Sequence, residues 1–191
     1  MINVVVEGES DKGVVSSVVR AAGHEIGKVI VRGGKAKIDP LIGKYNQAAA
    51  RLPWVIFRDS DTHCPVELYK QLTDSVAPLS PLFLLRVVHP MSEGWLLADR
   101  EGFAEYFNVR VAEVPRNPES LVHPKRTVLQ LCSKSRSRSI TRDMVALGER
   151  AGPRYVVRVN EFAASKWNVE NAASNSESLR RALERIRSLP K

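Results

Sequence analysis

At 191 residues, 43% hydrophobic and 26% charged, the chain can bury one sizeable core and has the composition of an ordinary globular protein. No apolar run approaches the roughly 20 residues of a membrane span, and the opening Met-Ile-Asn-Val-Val-Val-Glu lacks the basic start of a signal peptide. A cytoplasmic protein without membrane contact is expected, with Cys64 and Cys132 as reduced, structural thiols; the net charge of +8 favours nucleic acid or another anionic partner.

Residues 2–7 read as a short, nearly continuous β-branched strand, buried on both faces. Ser10 is placed to cap a helix, with Asp11 in its first turn. Val14, Val15, Val18, Val19 and Ala22 then recur at helical spacing until Gly23. Val29, Ile30 and Val31 form a second strand, followed by a Gly33-Gly34 turn. Residues 35–51 predict a helix that faces Ile38, Leu41, Ile42, Tyr45 and Ala49 inward, with Pro40 near its first turn. A third strand covers 54–58, Pro65 opens a helix over 65–75, and a fourth strand covers 82–88. Strands alternating with helices imply right-handed βαβ units and a mainly parallel four-stranded sheet flanked by helices, an α/β fold.

After His89-Pro90 the pattern becomes helical. Short helices are expected over 93–99, 102–107, 125–132 and 141–147, with a proline- and charge-rich loop over 113–124. Residues 155–159 read as a last strand. A terminal helix starts at Ser174 or Ser176, with Ser174 and Glu177 fitting a capping box, and carries Leu179, Ala182, Leu183 and Ile186 inward. The organisation implied is a core over 1–90 and a mostly helical elaboration of the same domain over 91–191.

In parallel sheets ligands bind beyond the carboxyl ends of the strands. Glu7 and the pair Asp59 and Asp61 stand at two such ends. An Asp-x-Asp pair supplies hard oxygen ligands for Mg²⁺, which keeps several waters and also takes phosphate oxygens; Mn²⁺ accepts the same donors. Glu7 can complete the site or exchange a proton, and Gly8 lets the chain turn sharply beside it. Alone, Asp-x-Asp also suits a plain turn. Glu93, after the fourth strand, is either a further metal ligand or an acid favoured by a helix dipole. Arg58 is either a structural ion pair or a phosphate ligand. Lys35, after the two glycines, is a candidate phosphate contact, although the stretch lacks P-loop spacing. Glu9 and Asp11 read as solvated or dipole-favoured acids, either of which could lean toward a metal, and Asp99 as a helix-end or loop acid. His63-Cys64 has no zinc spacing beside it. The serine-alternating run over 134–142, with Arg136 and Arg138, is a solvated loop or a phosphate-binding arm.

The order of Glu7-Gly8 and Asp59-Ser60-Asp61 on successive strands resembles the Toprim domain over about residues 2–90. That resemblance implies Glu7 as general acid/base and Asp59 and Asp61 as Mg²⁺ ligands. Over nearly the whole chain, Ser92-Glu93-Gly94-Trp95-Leu96-Leu97-Ala98-Asp99, Pro124-Lys125-Arg126, Ser135-Arg136-Ser137-Arg138-Ser139-Ile140, Glu161-Phe162 through Trp167, and Ser178-Leu179-Arg180-Arg181-Ala182-Leu183 look like an uncharacterised Toprim-like bacterial family. Its members are often encoded beside ABC-type ATPases related to overcoming-lysogenization-defect nucleases. Many have Glu-Ala-Trp where this chain has Glu93-Gly94-Trp95. The resemblance implies a Mg²⁺-dependent nuclease, or nuclease subunit, acting on DNA or RNA with an ABC-type ATPase in defence against phage or mobile DNA. A non-enzymatic partner subunit and a small-molecule phosphohydrolase are the alternatives. An open, basic-rimmed cleft favours the nuclease, and a deep closed pocket the phosphohydrolase.

Overall fold

The computed structural model describes residues 1–191. Four strands, β1 (Ile2–Val6), β2 (Ile26–Val31), β3 (Trp54–Asp59) and β4 (Phe83–Val88), form one sheet in the order β2-β1-β3-β4. Every pairing is parallel, with Val4 opposite both Val29 and Val55, and Val55 opposite Leu84. The expected α/β fold with a helix-flanked parallel sheet is therefore present, and β1 lies inside the sheet, buried at all five positions.

Strand side chains alternate between two unequal cores. Val5, Ile56, Phe83 and Leu85 face a small cluster with Ile38, Ile42, Tyr45 and Ala49. Val4, Val6, Val55, Phe57 and Val88 face a large one that extends through Trp95, Phe103 and Phe162 to Leu183. Residues from both halves of the chain thus share the larger core. Its helices are α1 (Asp11–Ala21), α5 (Ser92–Ala98), α6 (Arg100–Phe107), α7 (Pro124–Ser133), α8 (Arg138–Met144), α9 (Tyr155–Ser165), α10 (Val169–Ser174) and α11 (Glu177–Arg187). The opposite face carries α2 (Lys35–Ile38), α3 (Ile42–Ala48) and α4 (Pro65–Thr73). No helix is long and apolar enough to cross a membrane.

Several expectations are corrected. The helix predicted over 35–51 is broken into α2, a 3₁₀ turn at Asp39–Leu41, and α3. Pro40 sits in that turn, where it supplies no amide for a continuous helical ladder. The strand predicted over 155–159 is the start of α9. Tyr155, Val159, Phe162 and Ala163 are buried at helical spacing, while Val156 and Val157 are 40% and 43% exposed. The β-branched run lost to the helical periodicity of burial, as context overrides propensity. The segment predicted as helix over 141–147 ends at Met144 and continues into a two-strand hairpin, β5 (Val145–Ala146) and β6 (Arg150–Ala151). Ser174 belongs to α10; Ser176 caps α11 by accepting the Leu179 amide at 3.2 Å. Asp99 ends α5, as expected, and in addition N-caps α6 and ties α10 in place, accepting Asn168 N at 2.8 Å and Asn171 Nδ2 at 2.7 Å. Both cysteines are free; Cys64 is exposed, and burial pushes the Cys132 thiol up to about 12.

The two halves are locked where α1 meets α9. Gly13 N donates to Asn160 Oδ1 at 2.6 Å, Asn160 Nδ2 donates to Glu9 O at 3.0 Å, and Ser17 Oγ donates to Ala163 O at 2.7 Å. A Cβ on Gly13 meets the Asn160 Cα at 2.8 Å, a backbone atom that cannot rotate away. Gly13→Ala gains about 1 kcal/mol of helix propensity but overpacks the crossing by about 1–3 kcal/mol. The expected result is a net loss of stability, read as a lower urea midpoint at unchanged slope.

Candidate active site

Three strand ends and two helix starts converge at the carboxyl edge of the sheet. Glu7 follows β1 directly, Asp59 is the last residue of β3, and Glu93 lies in the first turn of α5, just beyond β4. Asp61 follows two residues after Asp59, and the fifth acid is Asp11, in the first turn of α1 and buried, where a solvated side chain was expected. The Asp11 carboxylate accepts the Gly8 amide at 2.8 Å and the Ser92 hydroxyl at 2.7 Å, and so bridges α1 to α5. Ser10, expected to cap α1, makes no capping bond. Gly8 does not need a left-handed backbone; its amide serves Asp11. Gly33 and Gly34, after β2, have the positive φ that favours glycine, 76° and 109°. Both donate to the Glu7 carbonyl, at 2.8 and 3.0 Å, which pins the end of β1 and starts α2 at Lys35.

Asp59 is the centre of the cluster. Its amide donates to Glu7 Oε1 at 3.0 Å. Its carboxyl is held well above the usual range, first by burial and then by the charges of Asp11, Glu93, Glu7 and Asp61. No hydrogen bond stabilises the charged form of that carboxylate. Burial likewise raises Glu7, Asp11 and Glu93. Glu93, 5% exposed, accepts the Tyr155 hydroxyl at 2.9 Å, which together with Lys125 counters part of that rise. Asp61 has φ of 52°, unusual for a residue with a side chain, and is held there by Asp61 N donating to Pro90 O at 3.0 Å. Ser60 between the two aspartates is fully buried, with its Oγ 2.8 Å from His89 Nδ1. The Asp-Ser-Asp segment is therefore anchored at its middle, between the two acids.

Arg58 is 3% exposed and surrounded by acids: Nε lies 3.0 Å from Asp39, and Nη1 lies 3.4 Å from Glu7 and 3.7 Å from Asp61. It also donates to the Asp59 carbonyl. It is committed inside the fold as an ion pair, the first of its two expected readings. Lys35 pairs with Asp61 at 2.7 Å and stays half exposed, at the rim. Arg136 and Arg138 are not brought to the acids. Serines order their segment: Ser135 Oγ donates to Phe107 O at 2.6 Å, and Ser137 caps α8. They follow the far end of α7, about 15 Å along a ten-residue helix from Lys125 in its first turn. Lys125 is the basic residue that faces Asp11 and Glu93, with its ammonium 4.9 Å from the centre of the Tyr155 ring. Beside it runs an open cleft of about 510 Å³, lined by Met91, His123, Lys125, Arg126, Glu149 and Arg150.

Sequence reading left Asp11 as a lesser candidate beside a metal and missed Lys125 as a site residue. For Asp11 the signal was its place four residues after Glu7, at the turn that leaves β1. For Lys125 it was Pro124, whose fit to a first helical turn sets the next side chain at the helix entrance.

In the present side-chain arrangement no three metal-capable groups form a ready-made cage. The donor chemistry nevertheless fits a hard divalent cation: five carboxylates, with oxygen donors only, and one carboxylate in their midst without a hydrogen bond. Comparison of the chain with models of known protein families, with curated proteins and with solved structures finds no match.

Proposed function

We propose that this chain is a Mg²⁺-dependent phosphodiester-cleaving nuclease, or the nuclease subunit of a larger assembly, built on a Toprim-like core. The observation that supports it is the convergence of Glu7, Asp11, Asp59, Asp61 and Glu93 at the sheet's carboxyl edge, next to an open cleft carrying His123, Lys125, Arg126 and Arg150. Like charges in this number are costly to assemble without a counter-charge, and such crowding of raised carboxylates is found where function requires it. An open, basic cleft suits a polyanionic chain better than a small phosphorylated molecule.

In this reading Asp59 and Asp61 hold the cation, with Glu93 and Asp11 completing its surroundings. A bound Mg²⁺ neutralises phosphodiester charge and acidifies a coordinated water. Glu7, with its proton affinity raised by burial, moves a proton at its carboxylate. Arg58 limits the repulsion between Glu7 and Asp61. Tyr155 fixes the Glu93 carboxylate. Lys125 and the cleft cations hold the phosphate backbone. The ABC-type ATPase partner and the role in defence rest on the family resemblance alone.

The test is cleavage of labelled single- and double-stranded DNA and RNA with Mg²⁺ or Mn²⁺ and with chelator. Wild type should cut only with metal, Glu7→Gln should fall by about 10²-fold or more, and Lys125→Ala should weaken substrate binding with a shallower salt dependence. Metal-independent cutting, or equal rates in wild type and Glu7→Gln, would refute the proposal.

A further inference from the structure

We infer that the open edge of β4 is a docking groove for an extended, acidic segment of a protein partner, added to the sheet as a fifth strand. The sheet order leaves β4 at an edge. Its Leu82 and Val88 carbonyls accept from Trp54 and Ser60, so the even-numbered residues turn their backbone toward β3 and the odd-numbered ones turn outward. Two outward amides are already satisfied inside the chain, Phe83 N by Ser80 O at 2.9 Å and His89 N by Ser178 Oγ at 3.0 Å. Between them, Leu85 and Val87 face a groove of about 650 Å³ bounded by α4 and α11. An open edge of this kind is a template for another strand.

The side chains around that edge define what fits it. Lys70 comes from α4, Arg86 from the strand itself, and Arg181 and Arg185 from α11. Arg181 is paired to Glu177. Lys70, Arg86 and Arg185 take part in no ion pair, and the Arg86 Nε is buried without a hydrogen-bond partner. A buried guanidinium nitrogen left unmatched is costly, and an arriving carboxylate would satisfy it. Glu119, the other acid at the groove, is already taken by Ser176 Oγ and Ser178 N, each at 2.7 Å. Exposed Val66 and Tyr69 on α4 offer apolar contact to alternate side chains of the incoming strand.

Charge and hydrogen bonding select among occupants. A second copy paired β4 to β4 would set these cations against their own copies. A phosphate backbone would match the cations but bring anions against the outward Leu85 and Val87 carbonyls. A peptide strand supplies both amides and carbonyls to the edge and carboxylates to the cations. This inference does not depend on the proposed nuclease activity, since the groove contains none of the acids at the carboxyl edge.

The probe is a fluorescein-labelled octapeptide alternating glutamate and valine, with three comparisons: the same peptide N-methylated at alternate amides, the same pattern with lysine for glutamate, and an octathymidylate. Fluorescence anisotropy should show binding of the acidic peptide alone, reduced by roughly ten-fold or more in Arg185→Glu and in Arg86→Met. Arg185 is exposed on α11, so its variant keeps the fold, as circular dichroism checks. N-methylation should also reduce binding, because it removes the strand ladder. Equal binding of the N-methylated peptide, no binding at millimolar concentration, insensitivity to Arg185→Glu, or tighter binding of the octathymidylate in a manner lost in Arg185→Glu would each overturn the inference.

Discussion

Asp59→Asn is expected to abolish Mg²⁺-dependent cleavage and, in the absence of metal, to make the protein more stable. Asp59 is surrounded by Asp11, Glu93, Glu7 and Asp61, and its carboxyl is raised well above the ordinary range. A carboxyl raised in the folded state binds its proton more tightly there than in the unfolded chain. Its stabilising contribution is complete below the unfolded value, near pH 4, and is lost as pH rises through the raised folded value. Glu7, Asp11 and Glu93 act in the same direction. The metal-free wild type should therefore lose stability from about pH 4 toward neutrality on account of this cluster. Asp143 acts oppositely: Arg158, at 2.7 Å, lowers it, so its contribution is lost as pH falls. The difference between variant and wild type removes that shared term.

The side-chain amide that Asp59→Asn introduces carries no charge to repel. A gain on the order of 1–2 kcal/mol corresponds to about 2–8 °C in Tm for a chain of this length. Mg²⁺ should raise the Tm of wild type and leave the variant unmoved, while cleavage falls by at least about 10²-fold. This trade of stability for activity is the behaviour of a functional site. Urea titrations from acid to neutral pH, with and without Mg²⁺, check it. A variant that is less stable than wild type across that range would show that Asp59 is a structural acid.

Arg58→Met is expected to give the largest loss of stability among single substitutions at this edge. The guanidinium is 3% exposed and lies between Asp39, Glu7 and Asp61. Removing it leaves partly buried carboxylates without their counter-charge, which costs about 3–5 kcal/mol, or about 6–20 °C in Tm. Mg²⁺ should recover part of the loss by replacing the missing positive charge. Arg58→Lys keeps the charge but loses the planar fork that reaches Asp39 through Nε and Glu7 and Asp61 through Nη1, and should fall between the two. Thermal scans at matched pH resolve the series. If Arg58→Met is as stable as wild type, the acids are solvated and the cluster is looser than its geometry indicates.

Much of the architecture was legible from one-dimensional patterns. Short β-branched runs separated by helical periodicity specify a parallel sheet, because each strand needs a crossover before the next. Glu7 and Asp59 then fall at strand ends on one edge for topological reasons. Errors arose where two local signals competed. The valines of α9 favour a strand in isolation, and only the packing of Tyr155, Val159 and Phe162 against the large core shows a helix. The serines at 174 and 176 both suit an N-cap, and only the position of Asn175 between α10 and α11 separates them.

Spacing along a single chain is enough to set the order of elements, the alternation of buried faces and the placement of three acids at one edge. Which charges meet is settled only by the folded arrangement. Asp11 turns inward because Gly8 N and Ser92 Oγ offer it donors. Arg58 is committed to the interior because Asp39 approaches from the broken second helix. Lys125 faces the acids while Arg136 and Arg138 stand at the far end of α7. Electrostatic roles depend on distance and burial between residues remote in sequence, and neither quantity is encoded in local pattern.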